Sequence, residues 1–129
     1  MSLINIINEL TVSSINDSIE FYKELFDFEI EYADGNPVTW VQMKKGNIRI
    51  MLEDYFAVKK EINKFPSKSN SSNIMKFEYD NLEEYKLLYD KCKNSLCEFF
   101  IEYTETDYGK IEFGILDPDN NMLVVSYKM

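Results

Sequence analysis

The candidate site residues of this 129-residue chain are mainly carboxylates and aromatic residues, together with the one arginine. The sequence contains no histidine. Without histidine there is no imidazole base, no Ser-His or Cys-His nucleophile pair and no histidine-containing metal site. A carboxylate such as Glu53 or Glu112 is left as the candidate general base. The guanidinium of Arg49 can clamp a ligand carboxylate, but we favour its pairing with Glu53 or Glu9.

The two cysteines, Cys92 and Cys97, are separated by four residues. They are too few for an all-cysteine zinc site, and their spacing is not that of a thioredoxin-type motif. We therefore predict two reduced, partly buried thiols.

The charge balance of 14 basic against 23 acidic residues, a net charge of −9, excludes general binding to nucleic acid or to an anionic membrane surface. It slightly favours a cationic ligand. No signal-like segment opens the chain, and no apolar run approaches the roughly 20 residues that span a membrane. These observations predict a cytoplasmic protein.

Strand and helix patterns occur in the same order in both halves of the chain. In the first half, strand patterns cover 4–12, 28–32, 38–43 and 48–52, with a helix over 15–27. In the second half, strand patterns cover 74–79, 97–103, 110–116 and 122–127, with a helix opening near Leu82. Ser14 with Asp17, and Asn81 with Glu84, resemble helix-capping boxes.

This order predicts an α+β fold of two βαβββ modules within a single domain, 1–129. The first module is 4–53, the linker 54–73 and the second module 74–129. Residues 54–64 could form a short helix, and 65–73 are polar linker sequence.

Two segments carry a family resemblance: ELTVSSINDSIEFYKELFDFEIEY in the first half and DYGKIEFGILDPDNNMLVV in the second. They resemble the glyoxalase, bleomycin-resistance and extradiol dioxygenase superfamily, also called vicinal oxygen chelate. Phe21, Tyr22 and Phe28 match the family's first motif, whereas Phe26 and Asp27 replace its Leu and Gly. The resemblance implies a curved, open mixed sheet around a ligand cavity, and a homodimer.

Metal-dependent members of that family carry His and Glu ligands on the first and last strands of each module. The matching positions here are Ile7, Met51, Ile74 and Val124, with Met51 uncertain by one or two residues. None of these side chains suits a hard divalent ion. If the register slips, Glu53 could reach the site, but one carboxylate does not hold a catalytic metal. The resemblance is therefore to the metal-free bleomycin-resistance branch, and we expect no metal and no cofactor.

Alternation along the strands predicts which residues share the concave face of the sheet. That face should carry Ile7, Glu9, Thr11, Arg49, Met51, Glu53, Ile74, Lys76, Glu78, Met122, Val124 and Ser126. The opposite, helix-covered face should carry Leu10, Val12, Ile50, Leu52, Phe77 and Tyr79. The candidate ligand-binding residues are Trp40, Arg49, Met51, Glu53, Phe56, Tyr103, Tyr108 and Glu112. Such a set suits a flat or cationic organic molecule, and it assigns no catalytic residue.

Three hypotheses remain open at this point. The first is a metal-free binding protein that sequesters a cationic or aromatic compound such as a drug. The second is an enzyme of the same superfamily, a lyase, isomerase or dioxygenase, that uses a carboxylate base or an atypical metal site. The third is a regulatory or structural module whose cavity is filled by Ile7, Met51, Ile74 and Val124.

Overall fold

The computed structural model describes residues 2–62 and 73–129, which form two compact units. Each unit contains one four-stranded mixed sheet, and the described residues contain three helices, so the predicted α+β fold of two βαβββ modules is confirmed. The sheets are open. Within the predicted linker, 54–73, residues 63–72 lie outside the described residues.

The first module runs β1 (Asn8–Val12), α1 (Ile15–Phe26), β2 (Glu29–Asp34), β3 (Trp40–Lys45), β4 (Ile48–Asp54) and α2 (Tyr55–Glu61). Its strand order is β1-β4-β3-β2. The β1 and β4 strands are parallel, and the remaining neighbours are antiparallel. The first strand therefore begins at Asn8 and not at residue 4, and Ile7 lies just before it.

The second module runs β5 (Ile74–Tyr79), α3 (Leu82–Asn94), β6 (Phe99–Glu105), β7 (Lys110–Leu116) and β8 (Met122–Lys128). Its strand order, β5-β8-β7-β6, repeats that of the first module, with β5 parallel to β8. The β6 strand begins at Phe99, so Cys97 precedes it.

Both long helices begin at the predicted caps. The Ser14 hydroxyl accepts a hydrogen bond from the Asp17 amide at 3.3 Å, and the Asn81 side chain accepts one from the Glu84 amide at 2.9 Å. These bonds satisfy amides that have no partner within the helix. They fix where each helix starts and hence which of its faces meets the sheet.

The core of each module lies between its long helix and one face of its sheet. In the first module Val12, Ile50 and Leu52 are buried as predicted, and Leu10 is half-buried. In the second, the buried Tyr85 ring packs against Phe113, and its hydroxyl donates to backbone oxygens of β7 and β8. The opposite face of each sheet, turned away from its long helix, is called the far face below. No helix in the described part of the chain is both long and apolar enough to cross a membrane.

Candidate functional site

The far face of the first sheet brings an indole ring next to a carboxylate. Glu53 on β4 lies directly between Thr11 on β1 and Trp40 on β3 in the strand register. Directly opposed side chains on neighbouring strands are about 5 Å apart at Cβ. Trp40 and Glu53 are both half-buried, so ring and carboxylate form one surface that solvent partly reaches.

The Glu53 carboxylate lies in a negative environment. Burial is the main cause that raises its pKa to about 6, and the nearby charges of Glu9, Glu61 and Asp54 raise it further. A hydrogen bond with the Glu9 side chain acts in the same direction. Within 2–62 and 73–129, no lysine or arginine forms an ion pair with Glu53. The site is therefore an acidic surface without a basic partner in the described chain.

A second cluster on the same face is electrostatically satisfied. Arg49 holds Glu31 with two hydrogen bonds, Nε to Oε1 at 2.9 Å and a terminal nitrogen to Oε2 at 3.0 Å. The Gln42 side-chain amide also donates to the Glu31 carboxylate, at 2.7 Å, and the Lys44 Nζ atom lies 3.9 Å from Glu31 Oε2. The hydrogen bonds from Arg49 and then Gln42 lower the pKa of Glu31 to about 2.

The expected pairing of Arg49 with Glu53 or Glu9 is therefore wrong. Arg49 and Glu53 share a face of one strand but stand four residues apart, a separation of about 13 Å along the strand. Ile30 pairs with the buried Met43, so alternation along β2 puts Glu31 on the far face beside Gln42. Glu31 lies next to a register shift between Ile30 and Tyr32, where β2 has one extra residue.

The far face of the second sheet carries carboxylates that do have partners. Lys110 Nζ contacts Glu78 at 2.7 Å, and the Tyr108 hydroxyl donates to Glu112 at 2.8 Å. The bond to Glu112 raises the pKa of Tyr108. Two of the candidate ligand-binding residues, Tyr108 and Glu112, therefore bond to each other, and the same face also carries the cation of Lys110.

Two further predicted residues lie elsewhere. Tyr103 packs against the α3 rings, with its centroid 4.9 Å from that of Tyr89 and 6.5 Å from that of Tyr85. Tyr103 therefore faces the helix and is not part of the binding surface proposed below. Phe56 lies on α2, 60% exposed, and meets the Tyr55 ring edge-on at 5.3 Å.

The strand register locates the positions that match the family's metal ligands. Met51 lies opposite Glu9, two residues after Ile7, and Val124 lies opposite Lys76, two residues after Ile74. Met51 and Val124 are thus equivalent positions in the two modules, so the register predicted for Met51 agrees with that of Val124. Ile, Met and Val side chains offer no oxygen or nitrogen ligand, so this donor set does not fit a hard divalent ion. The described residues also contain no group of three Cys, Asp or Glu placed to hold a metal.

Comparison with solved structures shows close agreement of fold. A glyoxalase/bleomycin resistance protein/dioxygenase family enzyme from Burkholderia phytofirmans superposes with a TM-score of 0.78 at 17% identity, covering 94% of this chain and 95% of its own. A lactoylglutathione lyase from Agrobacterium tumefaciens gives 0.73 at 18% identity, covering 95% and 92%. A fosfomycin resistance protein from Listeria monocytogenes gives 0.75 at 15% identity, covering 100% and 96%.

Sequence comparison gives a match to a family model but not to an individual curated protein. No curated protein sequence matches the chain at a significant level. The family model described as the Glyoxalase/Bleomycin resistance protein/Dioxygenase superfamily matches residues 4–125. With nearly the whole chain covered by that model, and with both βαβββ modules present, the protein belongs to the glyoxalase/bleomycin resistance protein/dioxygenase superfamily.

Proposed function

We propose that this protein is a metal-free binding protein that sequesters a planar organic cation on the far face of its first module. The observation that carries the proposal is the position of Trp40 beside Glu53, where no basic side chain of the described residues neutralises the carboxylate. We also propose that the protein is a homodimer, as the family resemblance implies, and that it is cytoplasmic.

The physical argument is that a cation removes an existing electrostatic penalty. Glu53 is half-buried among Glu9, Glu61 and Asp54, so its ionised form is disfavoured. A bound cation stabilises that form, and an indole face adds about 0.5–2 kcal/mol of cation–π attraction. A planar aromatic cation engages both groups at once, whereas a neutral isostere gains only the stacking.

The metal-free part of the proposal is supported by residue chemistry. The positions that carry ligands in metal-dependent relatives are occupied here by Ile7, Met51, Ile74 and Val124. The fold is shared by a structure named as a lyase and by one named as a resistance protein, so the fold alone does not decide between these activities.

Fluorescence titration tests the proposal, because Trp40 is the sole tryptophan and reports on the site directly. With chelator present, N-methylquinolinium is expected to quench Trp40 saturably, and neutral quinoline to quench it much less. Glu53→Gln should abolish the difference between the two probes, and the exposed Glu20→Gln should preserve it. Equal quenching by both probes in the wild type, or quenching that never saturates, would count against a cation site.

A second candidate function is favoured by one observation, the pKa of Glu53. A carboxylate whose pKa is about 6 is a better general base near neutral pH than an ordinary glutamate. In that case the protein would be a superfamily enzyme that abstracts a proton from its bound substrate. Conversion of a bound compound that is lost in Glu53→Gln, without loss of binding, would favour this alternative.

A further inference from the structure

The C-terminus of α3 brings the two cysteines of the chain together. The Cys97 amide donates to the Cys92 carbonyl at 3.1 Å, and the Leu96 amide donates to the Lys93 carbonyl at 3.3 Å. Leu96 has φ of 57°, in the left-handed region. These features define a Schellman motif, in which Cys92 and Cys97 occupy the two positions whose side chains pack across the helix end.

In most such motifs that packing is a contact between two apolar side chains, but here it joins two thiols. The two thiols interact across the helix end, and this interaction shifts their pKa values in opposite directions. Cys92 is fully buried, Cys97 is half-buried, and the intervening Leu96 is 90% exposed. The pair therefore lies at the surface with one thiol facing outward and the other behind it.

We propose that Cys92 and Cys97 are a redox-active dithiol that a hydroperoxide converts into an intramolecular disulfide. The Cys97 thiolate attacks the peroxide oxygen, and the peroxide bond breaks to leave Cys97 as a sulfenic acid, with water or an alcohol as the other product. The Cys92 sulfur then attacks the Cys97 sulfur, and hydroxide leaves with the Cys92 proton as water. Together the two thiols lose two electrons, and these electrons reduce one peroxide.

The local environment gives the two thiols different roles. Cys97 is the more accessible thiol, and its interaction with Cys92 lowers its pKa, so Cys97 is the attacking thiol. Cys92 is buried, and the same interaction together with burial raises its pKa, so Cys92 acts second, once its partner is oxidised. The resulting disulfide would close the helix end covalently, in place of the present thiol contact.

Intact-protein mass spectrometry on the full chain tests this inference. After treatment with hydrogen peroxide under native conditions, the wild type is expected to lose the mass of two hydrogen atoms. Once denatured, the oxidised protein should contain no maleimide-reactive thiol, and treatment with a thiol reductant should restore both. Cys97→Ser should retain one thiol and form no intramolecular disulfide.

The test needs no Cys92 variant, whose substitution in the core could unfold the protein, because the mass change is measured on the wild type. A gain of oxygen atoms at Cys97 without loss of hydrogen would overturn the proposal. So would disulfides formed only between chains. Neither result bears on the cation site, because the two cysteines lie in the second module.

Discussion

Replacement of Glu53 by Gln should stabilise the folded protein at neutral pH. Folding raises the Glu53 pKa from 4.5 to about 6, which means that the folded state favours the protonated carboxyl. The difference corresponds to about 2 kcal/mol, and solvent screening at this half-exposed position reduces the expected effect to about 1 kcal/mol. The neutral glutamine amide avoids this penalty at every pH.

The pH dependence has a definite sign. The favourable contribution of protonated Glu53 is fully present below pH 4.5 and is lost as pH rises through about 6. Glu53→Gln should therefore match the wild type near pH 4 and exceed it by about 1 kcal/mol at pH 7.5. Urea unfolding at a series of pH values measures this difference directly.

Two control variants separate the local effect from a general charge effect. Glu20→Gln removes an exposed carboxylate on α1 and should leave the pH dependence of stability unchanged. Burial is the main cause of the raised Glu53 pKa, and Glu9→Gln removes one of the acidic neighbours that raise it further, so the loss of stability should move to lower pH. The reasoning is refuted if Glu53→Gln is no more stable than the wild type at pH 7.5, because Glu53 would then have a compensating partner.

Three other substitutions test the packing of the second module. Tyr85→Phe removes a buried hydroxyl that donates to Ile111 and Val125 carbonyls, so thermal unfolding should show a loss of about 1 kcal/mol; an unchanged Tm would contradict this. Asn81→Ala removes the α3 cap and should cost about 1 kcal/mol in urea unfolding, whereas Asn81→Ser should restore most of it. Gly114→Ala would place a Cβ 2.8 Å from the Phe100 ring and should destabilise by about 1–3 kcal/mol. That loss should shrink when Phe100 is shortened to Leu, and an equal loss in both backgrounds would reject the clash.

The fold could be predicted from the sequence because its signals are local. Cap residues at Ser14 and Asn81, helical spacing of apolar residues, and turn residues between strands all report on near neighbours in the chain. The same locality explains the errors at strand ends. Residues 4–7, which include three isoleucines, continue a strand-like pattern, but the pairing of β1 with β4 begins only at Asn8.

The contacts within the candidate site were harder to predict from the sequence, because they depend on how strands that are distant in the chain pair with one another. The expected partners of Arg49 were acids on its own strand or the adjacent one, whereas its partner Glu31 lies two strands away, on β2. Alternation puts Glu31 on the far face, but only the strand order shows that β2 lies near enough to β4 for Glu31 to reach Arg49. The aromatic ring of Tyr103 suggests contact with a ligand, but in the structure this ring packs against Tyr89 on α3. The proximity of Trp40 to Glu53, in contrast, followed once the pairing of β3 with β4 was known.

The most direct test of the cation site is the NMR signal of the single indole N–H, which belongs to Trp40. Titration of chelator-treated protein with N-methylquinolinium is predicted to shift that signal saturably, together with the backbone amides around Glu53. A signal that stays in place throughout the titration, or that moves only after a divalent metal is added, would contradict a metal-free site for an organic cation.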